Sequence, residues 1–186
     1  MGEVWVIGLM NLFLWGATMG LLGYLPLYLR NIGWTPATAD SVVTVFAGIH
    51  TLGVIPMVLL SDKLGSRKIV IFVSIVSVVV ALALIPVASP AGLWALIIVG
   101  GFLRSGASVL FNVVLLEMKG VGGTLGGSAT GLANTIAMAG AFFAPPLGNS
   151  FANINPGYPF YFWAALAFIS LPMIFLIKSR TKKASL

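Results

Sequence analysis

The sequence predicts an all-α membrane protein with six transmembrane helices. Hydrophobic residues make up 59% of the 186-residue chain and charged residues only 8%. The mean hydropathy of +1.08 is higher than a soluble domain needs. Six apolar stretches divide the chain, each separated from the next by a short connection. Because a membrane-spanning helix takes roughly 20 residues, a chain of this length holds six of them and leaves only short loops.

The connections between the apolar stretches set the limits of the predicted helices. A charged connection over residues 61–68 joins the second stretch to the third, and a Gly-rich link over residues 120–124 joins the fourth to the fifth. Pro and Gly, which end or interrupt helices, occur in the other connections. Within a single domain covering residues 1–186, we expect spans at about residues 4–29, 38–60, 69–88, 91–118, 125–151 and 158–177.

Composition argues against several classes of function. The chain has no Cys, so it offers no disulfide framework, metal–thiolate site or thiol nucleophile. Its single His and four carboxylates are scattered along the sequence, which predicts neither a metal cluster nor a catalytic triad. The Gly-rich link lacks the Lys-Ser/Thr pair and the spacing of nucleotide-binding loops. We therefore expect no enzymatic activity, no catalytic residues, no cofactor and no bound metal.

The distribution of charge predicts a membrane topology and not nucleic-acid binding. The net charge is +6, but the basic residues lie beside apolar stretches. With both termini in the cytoplasm, eight cations lie on that side and only Arg30 lies opposite, as the positive-inside rule requires. The eight are Lys63, Arg67, Lys68, Lys119, Lys178, Arg180, Lys182 and Lys183. We expect an integral protein of the cell's inner or plasma membrane with both termini cytoplasmic.

The connection over residues 61–68 carries the most specific motif. In chain order, the motif consists of the acidic Asp62, the basic Lys63, then Gly65 and the basic Arg67. A charged connection has to lie at a bilayer face, since charges are costly at the bilayer centre. The motif resembles the loop between the second and third helices in each half of major facilitator superfamily transporters, with Val58 and Ser66 departing from that pattern. The resemblance implies that the four motif residues form a conformational gating loop.

The resemblance covers nearly the whole chain. The fourth span, around Arg104, looks like the Arg-bearing fourth helix of the family. Residues 23–29 look like the outer end of the first helix of a C-terminal half. The resemblance implies one six-helix half arranged as a 3+3 inverted repeat, which acts in secondary transport of a small solute by alternating access. Full members have twelve spans, with the site between two halves.

Arg104 is the residue with the clearest chemical implication. It lies ~20 Å into the fourth span, where an Arg costs at least ~2.5 kcal/mol even on insertion scales. The chain's carboxylates, which are predicted at or near membrane faces, are Glu3, Asp40, Asp62 and Glu117. None of them is placed to neutralise Arg104. We interpret Arg104 as an anion-binding group in a central cavity; the alternative is a structural Arg bonded to backbone carbonyls.

Other polar side chains fall within the predicted spans. His50 is the only His, and an imidazole is suited to carry a proton near neutral pH. The alternative for His50 is a neutral side chain hydrogen-bonded between helices. Asn11, Trp15 and Thr18 share one face of the first span at helical spacing. The candidate substrate-binding residues, each of which could instead form an interhelical hydrogen bond, are Arg104, Asn11, Trp15, His50 and Asn134.

A second six-helix half is expected as a partner within the lipid bilayer. Six spans alone would expose a cavity-lining face with Arg104 to lipid, which is unfavourable. A homodimer with its two-fold axis along the membrane normal would bring two Arg104 side chains to one cavity and favour a small anion or carboxylate as substrate. Two alternatives to the homodimer stay open. In the first, the chain is a C-terminal half of a longer transporter. In the second, it is a non-transporting membrane binding or scaffold subunit.

Overall fold

The computed structural model of the chain describes residues 2–118, 121 and 125–177. These residues form six α-helices and no strands: α1 (Gly2–Asn31), α2 (Pro36–Leu64), α3 (Arg67–Leu84), α4 (Pro90–Leu116), α5 (Gly126–Asn149) and α6 (Tyr158–Met173). Short 3-10 turns follow α3, α5 and α6 over Ile85–Val87, Ser150–Asn153 and Ile174–Leu176. Apart from Val121, the predicted 120–124 link lies outside the described residues, as do Lys119, Lys178, Arg180, Lys182 and Lys183.

α2 and α4 begin with the same kind of N-terminal cap, a hydroxyl residue followed by Pro. The hydroxyl of Thr35 accepts a hydrogen bond from the N–H three residues later at 3.3 Å, and Pro36 is the first residue of α2. The hydroxyl of Ser89 accepts the equivalent hydrogen bond at 3.2 Å, just before Pro90 begins α4. The hydroxyl satisfies a free N–H at the helix start, and Pro has no N–H to satisfy. The local sequence therefore fixes where α2 and α4 begin.

The charged connection between α2 and α3 is only two residues long. α2 continues to Leu64, beyond its predicted end at residue 60, and α3 begins at Arg67. Gly65 ends α2 with φ of 62° and donates its N–H to the carbonyl of Asp62 at 3.2 Å. Residues with side chains rarely adopt this left-handed conformation, so Gly suits the position. The predicted connection was too long because a helix can continue past its apolar stretch into the charged face.

The helices pack in a defined set of pairs. α1 packs most extensively on α5 and α2 on α4, while α3 contacts α4 and α6, and α6 contacts α1. At the α1–α5 interface a Cβ added to Gly16 would lie 2.8 Å from the Cβ of Ala144. A Cβ added to Gly140 would collide with the backbone of Leu12. Small residues thus let the two backbones approach closely, as is common between membrane helices.

Aromatic side chains fix α6 against α1 and α5. Tyr24 and Tyr28 of α1 pack on Phe160, with ring centroids 5.6 and 4.9 Å away. The indole N–H of Trp163 in α6 donates a hydrogen bond to the carbonyl of Ala144 in α5 at 3.0 Å. The sides of α1 that face α5 and α6 are therefore occupied, which leaves its remaining side for α2 and α4.

Several helices are suited to cross a membrane. By length and composition, five helices of the described part qualify: α1, α2, α4, and α3 and α6 together with their following turns. This confirms the predicted class, an all-helical membrane protein. The fifth predicted span, over residues 125–151, is not confirmed, since α5 has 24 residues but consists mainly of Gly, Ala, Pro and small polar residues. Small residues allow its close packing on α1 but lower its hydropathy.

Candidate functional site

Arg104 is buried near the middle of α4, with only 3% of its surface exposed. Glycines on either side of it keep α4 narrow. A Cβ added to Gly101 would lie 3.1 Å from the ring of Phe46 in α2, and one added to Gly106 would lie 2.8 Å from the hydroxyl of Ser74 in α3. Because α2 and α3 approach α4 this closely, the guanidinium of Arg104 is held inside the bundle.

Three side chains from two other helices surround the guanidinium. Nε of Arg104 donates a hydrogen bond to the hydroxyl of Thr18 at 2.7 Å, and that hydroxyl donates to the carbonyl of Leu14 at 2.8 Å. Nη1 of Arg104 lies 3.1 Å from Nε2 of His50. The ring of Trp15 lies beneath the guanidinium carbon at 5.9 Å, within range of a cation–π interaction. α1, α2 and α4 therefore meet at one polar centre.

The contact with Arg104 defines the tautomer of His50. A guanidinium has only hydrogen-bond donors, so Nε2 of His50 has to accept and the ring proton has to be on Nδ1. His50 is consequently neutral in this arrangement. Its ring stacks on Phe46, four residues earlier in α2, at a centroid distance of 6.2 Å and an interplanar angle of 21°. The stacking supports the orientation that presents Nε2 to Arg104.

Within the part of the chain that the structure describes, no carboxylate neutralises Arg104. Three of the chain's carboxylates are in salt bridges with other cations, in the pairs Arg30–Asp40, Arg67–Asp62 and Arg67–Glu117. The fourth, Glu3, lies in the first turn of α1. The described residues include all four carboxylates, and none forms a salt bridge with Arg104. A buried cation without a counter-charge is unfavourable by several kcal/mol in general, and the neutral partners Thr18 and His50 do not supply that charge.

One nitrogen of the guanidinium makes no hydrogen bond within the described part of the chain. Nε and Nη1 are hydrogen-bonded, whereas Nη2 of Arg104 donates no hydrogen bond within the described residues and is not fully enclosed. The enclosed cavity beside Arg104, which Thr18, Phe46 and Gly100 help to line, measures about 10 Å³ and has room for about one water. This cavity is therefore too small for a molecule much larger than water.

The predicted binding residues are only partly brought together. Arg104, His50 and Trp15 meet at the site, whereas Asn11 is buried one turn before Trp15 in α1. Asn134 is exposed on α5. In the described part of the chain, neither Asn is hydrogen-bonded to Arg104.

Two further residues belong to the site. Thr18, which the sequence places on the same face of α1 as Asn11 and Trp15, accepts the hydrogen bond from Nε of Arg104. The other residue, Phe46, was not among the candidates. Phe46 supports the ring of His50. The sequence could have indicated Phe46, because it is an aromatic residue one helical turn before the only His of the chain.

The predicted gating loop forms a second polar cluster at one end of the bundle. Arg67, the first residue of α3, bonds Asp62 at the end of α2 and the hydroxyl of Ser61 at 3.3 Å. Its Nη2 donates to Oε1 of Glu117, just after α4, at 3.1 Å. Of the two neighbouring bases of the loop, Arg67 pairs with Asp62, while Lys63 is exposed. Arg67 therefore ties α2, α3 and the end of α4 together.

The fold and the site together define a class of protein: an all-helical membrane protein with an unneutralised cation inside its bundle. The family model of the Major Facilitator Superfamily matches residues 4–186. The chain therefore belongs to the major facilitator superfamily, whose members transport solutes across membranes. A search of curated proteins gives no match to this chain.

Proposed function

We propose that this chain is one half of a secondary transporter and moves a small anion or carboxylate by alternating access. The observation that carries the proposal is Arg104, a buried guanidinium that no carboxylate pairs with and whose Nη2 has no hydrogen-bond partner within the described residues. An Arg presents parallel N–H groups that match the oxygens of a carboxylate or a similar planar anion. Trp15, Thr18 and His50 contact the guanidinium. A substrate-binding role of Asn11 and Asn134, which form no hydrogen bond with Arg104 in the described part of the chain, is also part of the proposal.

The packing of the helices supports a 3+3 inverted repeat within a single domain. Exchanging the first three helices with the last three converts the α1–α5 pair into the α4–α2 pair. The same exchange converts the α3–α4 pair into the α6–α1 pair. Inverted repeats of this kind place the substrate site near the bilayer midplane, at the interface of the repeats. Arg104 in α4 lies at a suitable depth for such a site.

A second copy of the chain is the proposed partner. α2 and α5 leave large apolar side chains uncovered: Leu52 and Ile55 are 70% exposed and Phe142 is 73% exposed. Asn134 is exposed on α5 as well, and an amide within a membrane-length helix is unfavourable in lipid. The apolar side chains suit lipid and protein alike, whereas Asn134 suits a protein neighbour better than lipid. A homodimer with a two-fold axis along the membrane normal would cover them and place two Arg104 side chains around one cavity.

The charged cluster suits the proposed orientation and gating. We place the protein in the cell's inner or plasma membrane with both termini in the cytoplasm. In this orientation the cytoplasmic face carries Asp62, Lys63 and Arg67. Arg67 bridges Asp62 and Glu117, so its ion pairs join helices from both halves of the repeat. Breaking and forming these pairs would accompany closing and opening of that face. The gating role of Asp62, Lys63, Gly65 and Arg67 is part of this proposal.

Two other arrangements are compatible with the same fold. The likeness of residues 23–29 to a C-terminal half favours a chain that works beside a separate N-terminal half. A membrane binding or scaffold subunit without transport activity is the remaining arrangement. The mass of the purified chain in a bilayer mimic separates these arrangements, because a dimer supports the homodimeric transporter and a monomer supports the other two.

Uptake into proteoliposomes tests the transport proposal. Vesicles with the purified chain are expected to accumulate labelled nitrate or acetate. Loss of charge-assisted hydrogen bonds in Arg104→Gln is expected to lower uptake by about 10- to 100-fold. Lys68→Gln removes a cation at the start of α3, away from the site, and is the matched control. Equal uptake by Arg104→Gln and the unmodified chain would refute the anion-binding role.

A further inference from the structure

The hydrogen bond between Arg104 and His50 exists only while the imidazole is neutral. Nη1 of Arg104 lies 3.1 Å from Nε2 of His50, and the guanidinium has no acceptor to offer. A proton on Nε2 would set two donors and two positive charges against each other at this distance. Protonation of His50 therefore breaks the contact unless a negative group comes between the two side chains.

Among the residues that the structure describes, no charged group other than Arg104 contacts His50. The described part of α4 contributes Arg104, and α1 contributes the uncharged Trp15 and Thr18. α3, which also packs on α2, carries its two charged residues, Arg67 and Lys68, in its first turn. All four carboxylates lie in the described part, and the salt bridges of three of them are with Arg30 or Arg67. The fourth, Glu3, begins α1.

We propose that His50 takes up a proton when an anion binds at Arg104, so that the anion and the proton occupy the site together. The proposal rests on the anion site proposed above. An anion between the two side chains accepts hydrogen bonds from Nη2 of Arg104 and from the newly protonated Nε2 of His50. Because binding linkage is reciprocal, the anion strengthens proton binding as much as the proton strengthens anion binding.

The position of His50 allows it to take up a proton from water, and the charge of that proton balances the charge of the bound anion. His50 is partly exposed, and its neighbours Ala47 and Thr51 on α2 are exposed. In the proposed transporter this side faces the cavity between the two halves, through which the ring exchanges protons with water. A monovalent anion and one proton add no net charge to the site. The chain would then carry a neutral pair across the membrane, an anion–proton symport in which the proton comes from the aqueous phase and returns to it.

Nitrate is the probe for the test, because it stays ionised across the pH range in which an imidazole titrates. Calorimetric titration at about pH 6 and about pH 8, in two buffers of different ionisation enthalpy, yields the affinity and the number of protons taken up. We expect uptake approaching one proton per nitrate and an affinity that falls by up to about tenfold per pH unit as the pH rises. Equal affinity at both pH values, with no proton uptake, would overturn the proposal.

Variants separate this proposal from the anion site itself. His50→Gln keeps an amide oxygen that can accept from Arg104 but does not titrate, so its nitrate affinity is expected to be independent of pH. Lys68→Gln is expected to keep the pH dependence. Nitrate binding that is lost in Arg104→Gln but independent of pH in the unmodified chain would leave the anion site standing and overturn only the proton linkage. Absence of nitrate binding at every pH would overturn both.

Discussion

Thr18 and Arg104 are 86 positions apart in the chain, yet the hydroxyl of Thr18 accepts a hydrogen bond from Nε of Arg104 at 2.7 Å. The same hydroxyl donates to the carbonyl of Leu14 one turn earlier in α1. Thr18 thus links the backbone of α1 to the cation of α4. This single side chain sets the direction of the guanidinium, because it holds Nε and leaves Nη1 for His50 and Nη2 for a ligand.

Replacing Thr18 by Val is expected to destabilise the chain by about 1–3 kcal/mol, because a buried N–H of a charged group loses its acceptor. Thr18→Ser keeps the hydroxyl and is expected to stay close to the unmodified protein. Thr51→Val is the matched control, since the exposed Thr51 bonds only the carbonyl of Ala47 in its own helix. Thermal unfolding in detergent measures the three variants, and equal effects of Thr18→Val and Thr51→Val would contradict the assigned role.

Gly140→Ala is expected to destabilise the protein by about 1–3 kcal/mol through overpacking. The added Cβ would collide with backbone atoms of Leu12, and these cannot move aside as the end of a flexible side chain could. Gly131→Ala in the same helix is the control, because nothing lies within 4 Å of the Cβ it would add. Comparison of the two unfolding midpoints tests whether α1 and α5 meet through their backbones. Similar midpoints would show that they do not.

Arg67→Ala is expected to lower the free energy of unfolding by about 1 kcal/mol, and by less in high salt, which screens the partly exposed pairs with Asp62 and Glu117. Lys63→Ala changes an exposed cation in the last turn of α2 and is expected to have a much smaller effect. Unfolding at low and high ionic strength measures both variants. A salt-independent loss in Arg67→Ala would argue that packing, not the ion pairs, holds this end of the bundle.

The proposed dimer predicts different effects for two exposed phenylalanines. Phe142 on α5 is 73% exposed and Phe168 on α6 is 58% exposed. Phe142→Ala is expected to raise the monomer fraction by removing apolar area from the proposed interface, whereas Phe168→Ala is expected to leave it unchanged. Native mass spectrometry from a bilayer mimic gives the monomer fraction of each. A shift caused by Phe168→Ala alone would place the interface on a different helix.

Local chemistry explains what the sequence could predict. Long apolar stretches indicate membrane helices whatever they pack against, and Gly65 ends α2 through its own backbone freedom. Arg104 could be singled out because a cation at that depth is costly wherever the helix lies. The charged motif around Asp62 could be placed at a bilayer face because its residues are close together in the sequence.

Contacts between distant segments explain what the sequence could not predict. The bonds of Arg104 to Thr18 and His50, and of Arg67 to Glu117, depend on how α4 is placed against α1, α2 and α3. Hydropathy also predicted α5 as a span like the others, although its small residues serve its close packing on α1. Neither the helix pairs nor the exposure of Asn134 follows from periodicity alone.

The position of a bound anion is the most direct test of whether Arg104 binds anions. Bromide can replace a small anion, and its anomalous X-ray scattering locates it in crystals of the protein. We expect a bromide peak within about 4 Å of Nη2 of Arg104, the range of a charge pair, and its loss in Arg104→Gln crystals. Bromide peaks only at other cations such as Lys63, with none beside Arg104, would show that Arg104 is not an anion-binding residue.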